Sequence, residues 1–209
     1  MAERFLNKYR IPSARAAWWD YRKNGIYYVT ICTKDRKHYF GEIAPIQTLH
    51  ATSVMVFSDI GKIAHQFWLD IPSHFPFAIL DKFVIMPNHV HGIIVINHDL
   101  TPVDRETLVV YVDPLHATDL HKPEQPEQPE QHKNHKMSKI SPKTGSLSSV
   151  IRSFKSAVTN WCNKNKFEFE WQSRFYDRII RNDDELWRIR KYIKNNPANW
   201  KEDRLPKRG

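Results

Sequence analysis

Residues 77–97, "FAILDKFVIMPNHVHGIIVIN", decide how this chain is read. FAILDKFVIM, mostly apolar, reads as a strand, Pro87-Asn88 as a turn, and HVHGIIVIN as a following strand. The run from Val90 to Ile96 is apolar on both faces apart from the histidines, which belongs in the middle of a sheet. Strand side chains alternate between faces, so His89 and His91 point the same way, with Ile93 and Val95 continuing that face. Two imidazoles side by side can bind one divalent cation once a third ligand arrives from elsewhere. With 11 histidines in 209 residues, one chance His-x-His is unsurprising, so the partner residues must decide.

Upstream, GIYYVTICT reads as a strand opened by Gly25. Ser58 caps a helix in which Ile60, Ile63, Ala64, Phe67 and Trp68 follow the helical stripe, with Pro72 just beyond its end. Downstream, Ser146 caps a helix carrying Leu147, Val150, Ile151, Phe154, Val158 and Trp161. FEFEWQSRFYDRIIRN reads as a strand, interrupted near Gln172-Ser173. The last helix starts at Asn182, with Glu185 three residues on as a capping box, and stops at Pro197. The order is strand, helix, strand, strand, helix, strand, helix. That is the split βαβ pattern of an α+β, ferredoxin-like fold: an antiparallel sheet with helices packed on it, plus a C-terminal helix.

The length fits one domain, here read as residues 1–209 with a basic, aromatic arm at 1–24 and an insertion at about 98–145. The insertion contains PEQPEQPEQ, which cannot bury enough surface to offset chain entropy and is expected to be disordered; its HKNHK end reads as a solvated linker. A net charge of +9 and a pI of about 9.5 point to a polyanionic partner, nucleic acid first. Cys32 and Cys162 lie in apolar patterns, which excludes a disulfide framework and a cysteine zinc cluster. No apolar run reaches transmembrane length, and the N-terminus lacks a signal peptide's apolar stretch, so no membrane association and a cytoplasmic location are expected.

In the last helix Leu186, Ile189 and Ile193 form the apolar stripe, and Tyr192 and Asn196 fall one turn apart on its flank. On this helix alone the plainer reading is a packing phenol and a C-cap before proline. Combined with the histidine strand, the same residues offer His, His and Asn as three ligands and a phenol beside them.

Four blocks, "NGIYYVTICTKDRKHYFG", "FVIMPNHVHGIIVI", "VIRSFKSAVT" and "FYDRIIRNDDELWRIRKYIKNNPANW", resemble successive blocks of the single-tyrosine HUH transposases, in particular the REP-associated tyrosine transposases. The resemblance implies that His89, His91 and Asn196 hold a divalent metal, magnesium or manganese, and that Tyr192 is the nucleophile. It implies that single-stranded DNA is cut and rejoined beside palindromic repeat hairpins through a 5′-phosphotyrosine, by a monomer or homodimer. It also implies that the segment from Arg10 to Tyr21 helps recognise the hairpin. Two other functions use the same residues: a domesticated hairpin-binding protein that no longer transposes, and a metal-dependent nuclease that uses water.

DNA-binding candidates are Arg10, Arg15, Trp18, Trp19 and Tyr21 in the arm, Arg152 and Lys155 on the helix after the insertion, and Arg174, Arg178, Arg188 and Lys191 around Tyr192. Trp18, Trp19 and Tyr21 can stack on unpaired bases or pack the arm onto the domain; both readings stand. His65 and His74 read as surface or packing histidines.

Overall fold

The computed structural model describes residues 19–45, 53–100 and 143–200. Arg10, Arg15 and Trp18 lie outside the described residues, as does most of the insertion.

Chain order is β1 (Gly25–Cys32), a 3-10 turn (Lys34–Arg36), β2 (Gly41–Pro45), β3 (Ser53–Phe57), α1 (Asp59–Leu69), α2 (Ile71–His74), β4 (Ala78–Met86), β5 (His89–Ile96), α3 (Leu147–Lys164), β6 (Tyr176–Ile180) and α4 (Asp183–Asn195). Four strands form an antiparallel sheet in the order β4-β5-β1-β6. With β2 and β3 set aside, this is the ferredoxin-like order expected from the sequence, and β5 lies inside the sheet as its two apolar faces required.

The two faces are covered unequally. Tyr27, Val29 and Ile31 of β1, Val90, Ile94 and Ile96 of β5, and Leu80 and Ile85 of β4 pack against α1 and α3 through Ile60, Ala64, Trp68, Val150, Ile151, Phe154 and Val158. On the opposite face α4 lays Leu186, Ile189 and Ile193 over Ile93, Ile180 and their neighbours Ile26, Tyr28 and Val84. The strand alternation read in the sequence separates these two clusters.

The helix starts follow the expected caps. Ser58 Oγ accepts from Gly61 N–H at 3.0 Å, Ser146 Oγ from Ser149 N–H at 3.3 Å, and Asn182 Oδ1 from Glu185 N–H at 2.9 Å. The Glu185 carboxylate, however, accepts from Arg181 N–H at 3.1 Å, one residue before the capping residue. The expected capping box is thus displaced by one residue, because Arg178 pulls the other carboxylate oxygen toward β6 at 2.5 Å.

Two further readings are corrected. β2 and β3 pair as a separate two-stranded sheet that the expected element order lacks. β2 contains Gly41, Glu42 and Pro45, and neither strand buries one face cleanly, so no alternation marked it. Of FEFEWQSRFYDRIIRN only Tyr176–Ile180 is strand; Trp171 makes a single bridge to Thr33, and the preceding residues form no ladder. Pro72 falls just beyond the end of α1, as expected, and sits in the first turn of α2, where a proline lacking its N–H is tolerated. Among the described residues no helix is long and apolar enough to cross a membrane.

Candidate functional site

The site is assembled around β5. His89 and His91 project from one face, both fully buried, with ring centroids 4.4 Å apart. Thr30 of β1 lies directly across from His91 and Cys32 across from His89. The Pro87-Asn88 turn before the pair is gripped by the segment after β1. Thr33 N–H and Oγ1 both donate to Asn88 O at 2.9 Å, and Phe40 N–H donates to Pro87 O at 3.0 Å.

This grip sets a tautomer. Asn88 Nδ2 donates to Arg36 O at 3.2 Å, which turns the amide oxygen toward His89 Nδ1, 2.8 Å away. An amide oxygen only accepts, so His89 Nδ1 carries the proton and Nε2 the lone pair. His91 Nδ1 lies 2.7 Å from Tyr28 Oη and 2.9 Å from Thr30 Oγ1, and Thr30 Oγ1 donates to Tyr28 Oη at 3.2 Å. Tyr28 Oη and Thr30 Oγ1 thus hold the His91 ring by Nδ1 and leave Nε2 facing Tyr192. Burial holds the His91 imidazole down to about 3 and lowers His89 well below its ordinary value, the latter aided by His91 and Arg36 nearby. Both rings are therefore neutral at physiological pH, the form that binds metals.

α4 supplies the other half. Tyr192 Oη lies 3.2 Å from His91 Nε2, and its ring meets both His91 and Tyr28 edge-on. The side chain is nonetheless 42% exposed, so the hydroxyl sits where buried site and solvent meet. One turn on, Asn196 is 2% exposed, and its Oδ1 has no hydrogen-bond partner among the described residues. Further on, Trp200 stacks on His89 at 6.0 Å. Asn196 thus falls in the chain between a residue touching His91 and one touching His89. A buried acceptor left without a donor is costly, and it is the feature expected of an oxygen reserved for a cation. His89, His91 and Asn196 offer two imidazoles and one amide oxygen, a donor set that could hold a divalent ion. Among the described residues no group of three or more His, Cys, Asp or Glu side chains is arranged to hold a metal.

The basic candidates separate. Arg174, Arg188 and Lys191 are exposed, Lys191 lying 5.0 Å over the ring of Trp187. Arg178 is exposed but paired with Glu185. Arg152 and Lys155 lie on α3, across the sheet from Tyr192. Lys155 donates to Gln172 O at 2.6 Å beside Trp171, and burial lowers its ammonium to about 8, so it braces the fold rather than the site. Trp19 and Tyr21 pack on the larger core, on the face away from the histidines, with Trp19 Nε1 donating to Tyr27 Oη at 2.9 Å. Sequence reasoning missed Tyr28, Thr30, Asn88 and Trp200. Only the placement of Thr30 and Tyr28 on the histidine face of a neighbouring strand could have signalled two of them.

The sheet order and the tyrosine-bearing helix laid on its histidine face give this chain the fold of a REP-associated tyrosine transposase. The solved structure of such a transposase, bound to a REP hairpin, superimposes with a TM-score of 0.52 over 93% of this chain and 76% of that one, at 14% identity. No family model matches the chain. The chain belongs to one family with a Haemophilus influenzae protein described only as an uncharacterized protein, 34% identical over 197 residues and covering 92% of this chain and 91% of that one.

Proposed function

We propose that the protein is a DNA strand transferase that cuts and rejoins single-stranded DNA beside a repeat hairpin, with Tyr192 as nucleophile. The observation that carries this reading is the Tyr192 hydroxyl, on a half-exposed side chain, 3.2 Å from Nε2 of His91 in a buried, neutral histidine pair. The shared fold with a hairpin-bound tyrosine transposase supports it, as does the net charge of +9.

His89, His91 and Asn196 would hold a magnesium or manganese ion, which when bound supplies Lewis-acid stabilisation of charge on a phosphate oxygen. The chain's own residues do the rest. Asn88 keeps the His89 imidazole in the tautomer that presents Nε2, and Tyr28 and Thr30 hold the His91 ring by its Nδ1. Tyr28 and His91 fix the Tyr192 ring edge-on, so the hydroxyl is aimed before substrate arrives. Its oxygen bonds to phosphorus as the bond to the 3′ oxygen breaks. The phenolic proton leaves to solvent, and the departing 3′ oxygen takes one up. The products are a 5′-phosphotyrosine and a free 3′ hydroxyl, so the bond energy is kept for rejoining and no ATP is needed. A water-using nuclease would leave Tyr192 without this role.

The test is Tyr192→Phe, which removes only the hydroxyl. With a labelled single-stranded hairpin substrate and manganese, the wild-type protein forms an SDS-resistant adduct. The variant forms none, while its hairpin affinity stays within about twofold. An adduct in the variant would assign the nucleophile elsewhere; cleavage without an adduct in the wild type would favour the water-using nuclease.

A further inference from the structure

The inference rests on the reading of Tyr192 as nucleophile and concerns what aims it. At 100° per residue, Arg190 and Tyr192 stand on opposite flanks of the Leu186, Ile189 and Ile193 stripe that seats α4. Tyr192 touches β5 and β1 through His91 and Tyr28. On the other flank Arg190 reaches β4, where its Nε donates to Asp81 Oδ1 at 2.9 Å and to Oδ2 at 3.2 Å, and its Nη2 donates to Oδ2. The two residues are 109 positions apart in sequence.

Asp81 follows the core residue Leu80 and so takes the α4 face, beside an irregularity that returns Phe83 to the core. The register of β4 on β5 slips between Leu80 and Phe83. Strict alternation would send Leu80 and Phe83 to opposite faces, yet both pack on the larger core. The extra residue of the bulge absorbs the parity. Asp81 Oδ1 also accepts from Lys82 N–H at 2.6 Å. Its side chain is only 17% exposed, against 46% for Arg190.

We propose that Asp81 and Arg190 are a positioning pair that sets the roll of the tyrosine helix, and so the place of the Tyr192 hydroxyl. The seat beneath α4 is small: three fully or nearly buried isoleucines and a half-buried margin. An apolar stripe resists lifting more than rolling, whereas a bidentate guanidinium–carboxylate pair is directional. A roll of about 10° at the roughly 5–6 Å radius of a helix with side chains displaces its surface by about 1 Å. A misplacement of that size costs about 100-fold in rate. Arg190 acts through Tyr192 and does not itself touch the phosphate.

The full chain carrying Asp81→Asn, Arg190→Gln, or the swap Asp81→Arg with Arg190→Asp is compared with wild type in single-turnover adduct formation on the labelled hairpin. Each single variant should slow adduct formation by about 10- to 100-fold while hairpin affinity and melting temperature stay close to wild type, since a partly exposed pair contributes little stability. The swap should recover most of the rate. Hydrogen exchange across residues 186–196 reads the same coupling without activity: faster in both single variants, restored in the swap. Wild-type rates and exchange in the single variants overturn the proposal. So does tighter hairpin binding in Asp81→Asn together with weaker binding in Arg190→Gln, the pattern of an arginine released to a phosphate. If the wild-type protein forms no adduct, the reading of Tyr192 fails, and exchange alone decides whether the pair holds the helix.

Discussion

At His91 four side chains from three elements meet one ring: Tyr28 and Thr30 on Nδ1, Tyr192 on Nε2, and His89 alongside. Because the ring is buried and neutral, its titration is linked to folding. Its folded value is lowered from 6.5 to about 3, so between these values the unfolded chain binds a proton that the folded chain does not. Stability is therefore full above pH 6.5 and falls as pH drops toward 3; for one such group the loss at pH 5 is about 2 kcal/mol. In EDTA, thermal melts between pH 7.5 and 4.5 should show this decline, and His91→Gln should make it shallower, leaving the share of His89, which burial lowers in the same direction. A slope unchanged in the variant would locate the proton uptake elsewhere. Calorimetric titration with manganese addresses the ligand role: His89→Ala and His91→Ala should each lower affinity at least about 10-fold. Equal binding in wild type and both variants would remove the metal from this site.

Among the elements, β5 carries the tightest constraint. Between His91 and Ile93, Gly92 faces the larger core, and a Cβ built there would lie 2.2 Å from Trp68 Cζ2 and 2.9 Å from Cη2. The Trp68 ring is fully buried and packed against Phe83 and Phe154. Gly92→Ala should therefore destabilise the fold by about 2–3 kcal/mol through overpacking. The denaturation midpoint measures it, and a loss below about 0.5 kcal/mol would show that the indole shifts freely. The glycine of HVHG thus serves the core opposite the histidines: it lets Trp68 approach the strand whose other face is the site.

For the whole molecule, the long insertion leaves and re-enters at one place. Asn24 joins Asn97 and Asp99 through its side-chain amide and accepts from His98 N–H, while Leu147 N–H donates to Tyr21 O. A Cβ on Gly145 would lie 3.3 Å from His98 Cε1, so the two ends are neighbours. Replacing residues 101–142 by a short Gly/Ser linker should leave the fold intact and raise stability by about 1–2 kcal/mol, because a shorter loop costs less to close. Adduct formation should persist. A fall in melting temperature would mean that the segment contributes to packing.

Alternation in β1 and β5, the helical stripes of α1, α3 and α4, and the caps at Ser58, Ser146 and Asn182 were legible because each is a local periodicity or a one-turn contact. They were enough for the sheet order and for placing His89 with His91. The weakly patterned β2 and β3 carried no such period, whereas FEFEW before β6 alternates yet forms no ladder. What only the tertiary structure decided is which distant residues meet. Docking α4 on the histidine face brings Tyr192 to His91, and the turn grip at Asn88 selects the His89 tautomer. The same helix brings Arg190 to Asp81 of β4. The same docking leaves Lys155, Trp19 and Tyr21 in packing roles across the sheet. Charge and aromaticity in a sequence do not say which face a side chain takes; that depends on how the amphipathic elements share the two sides of one sheet.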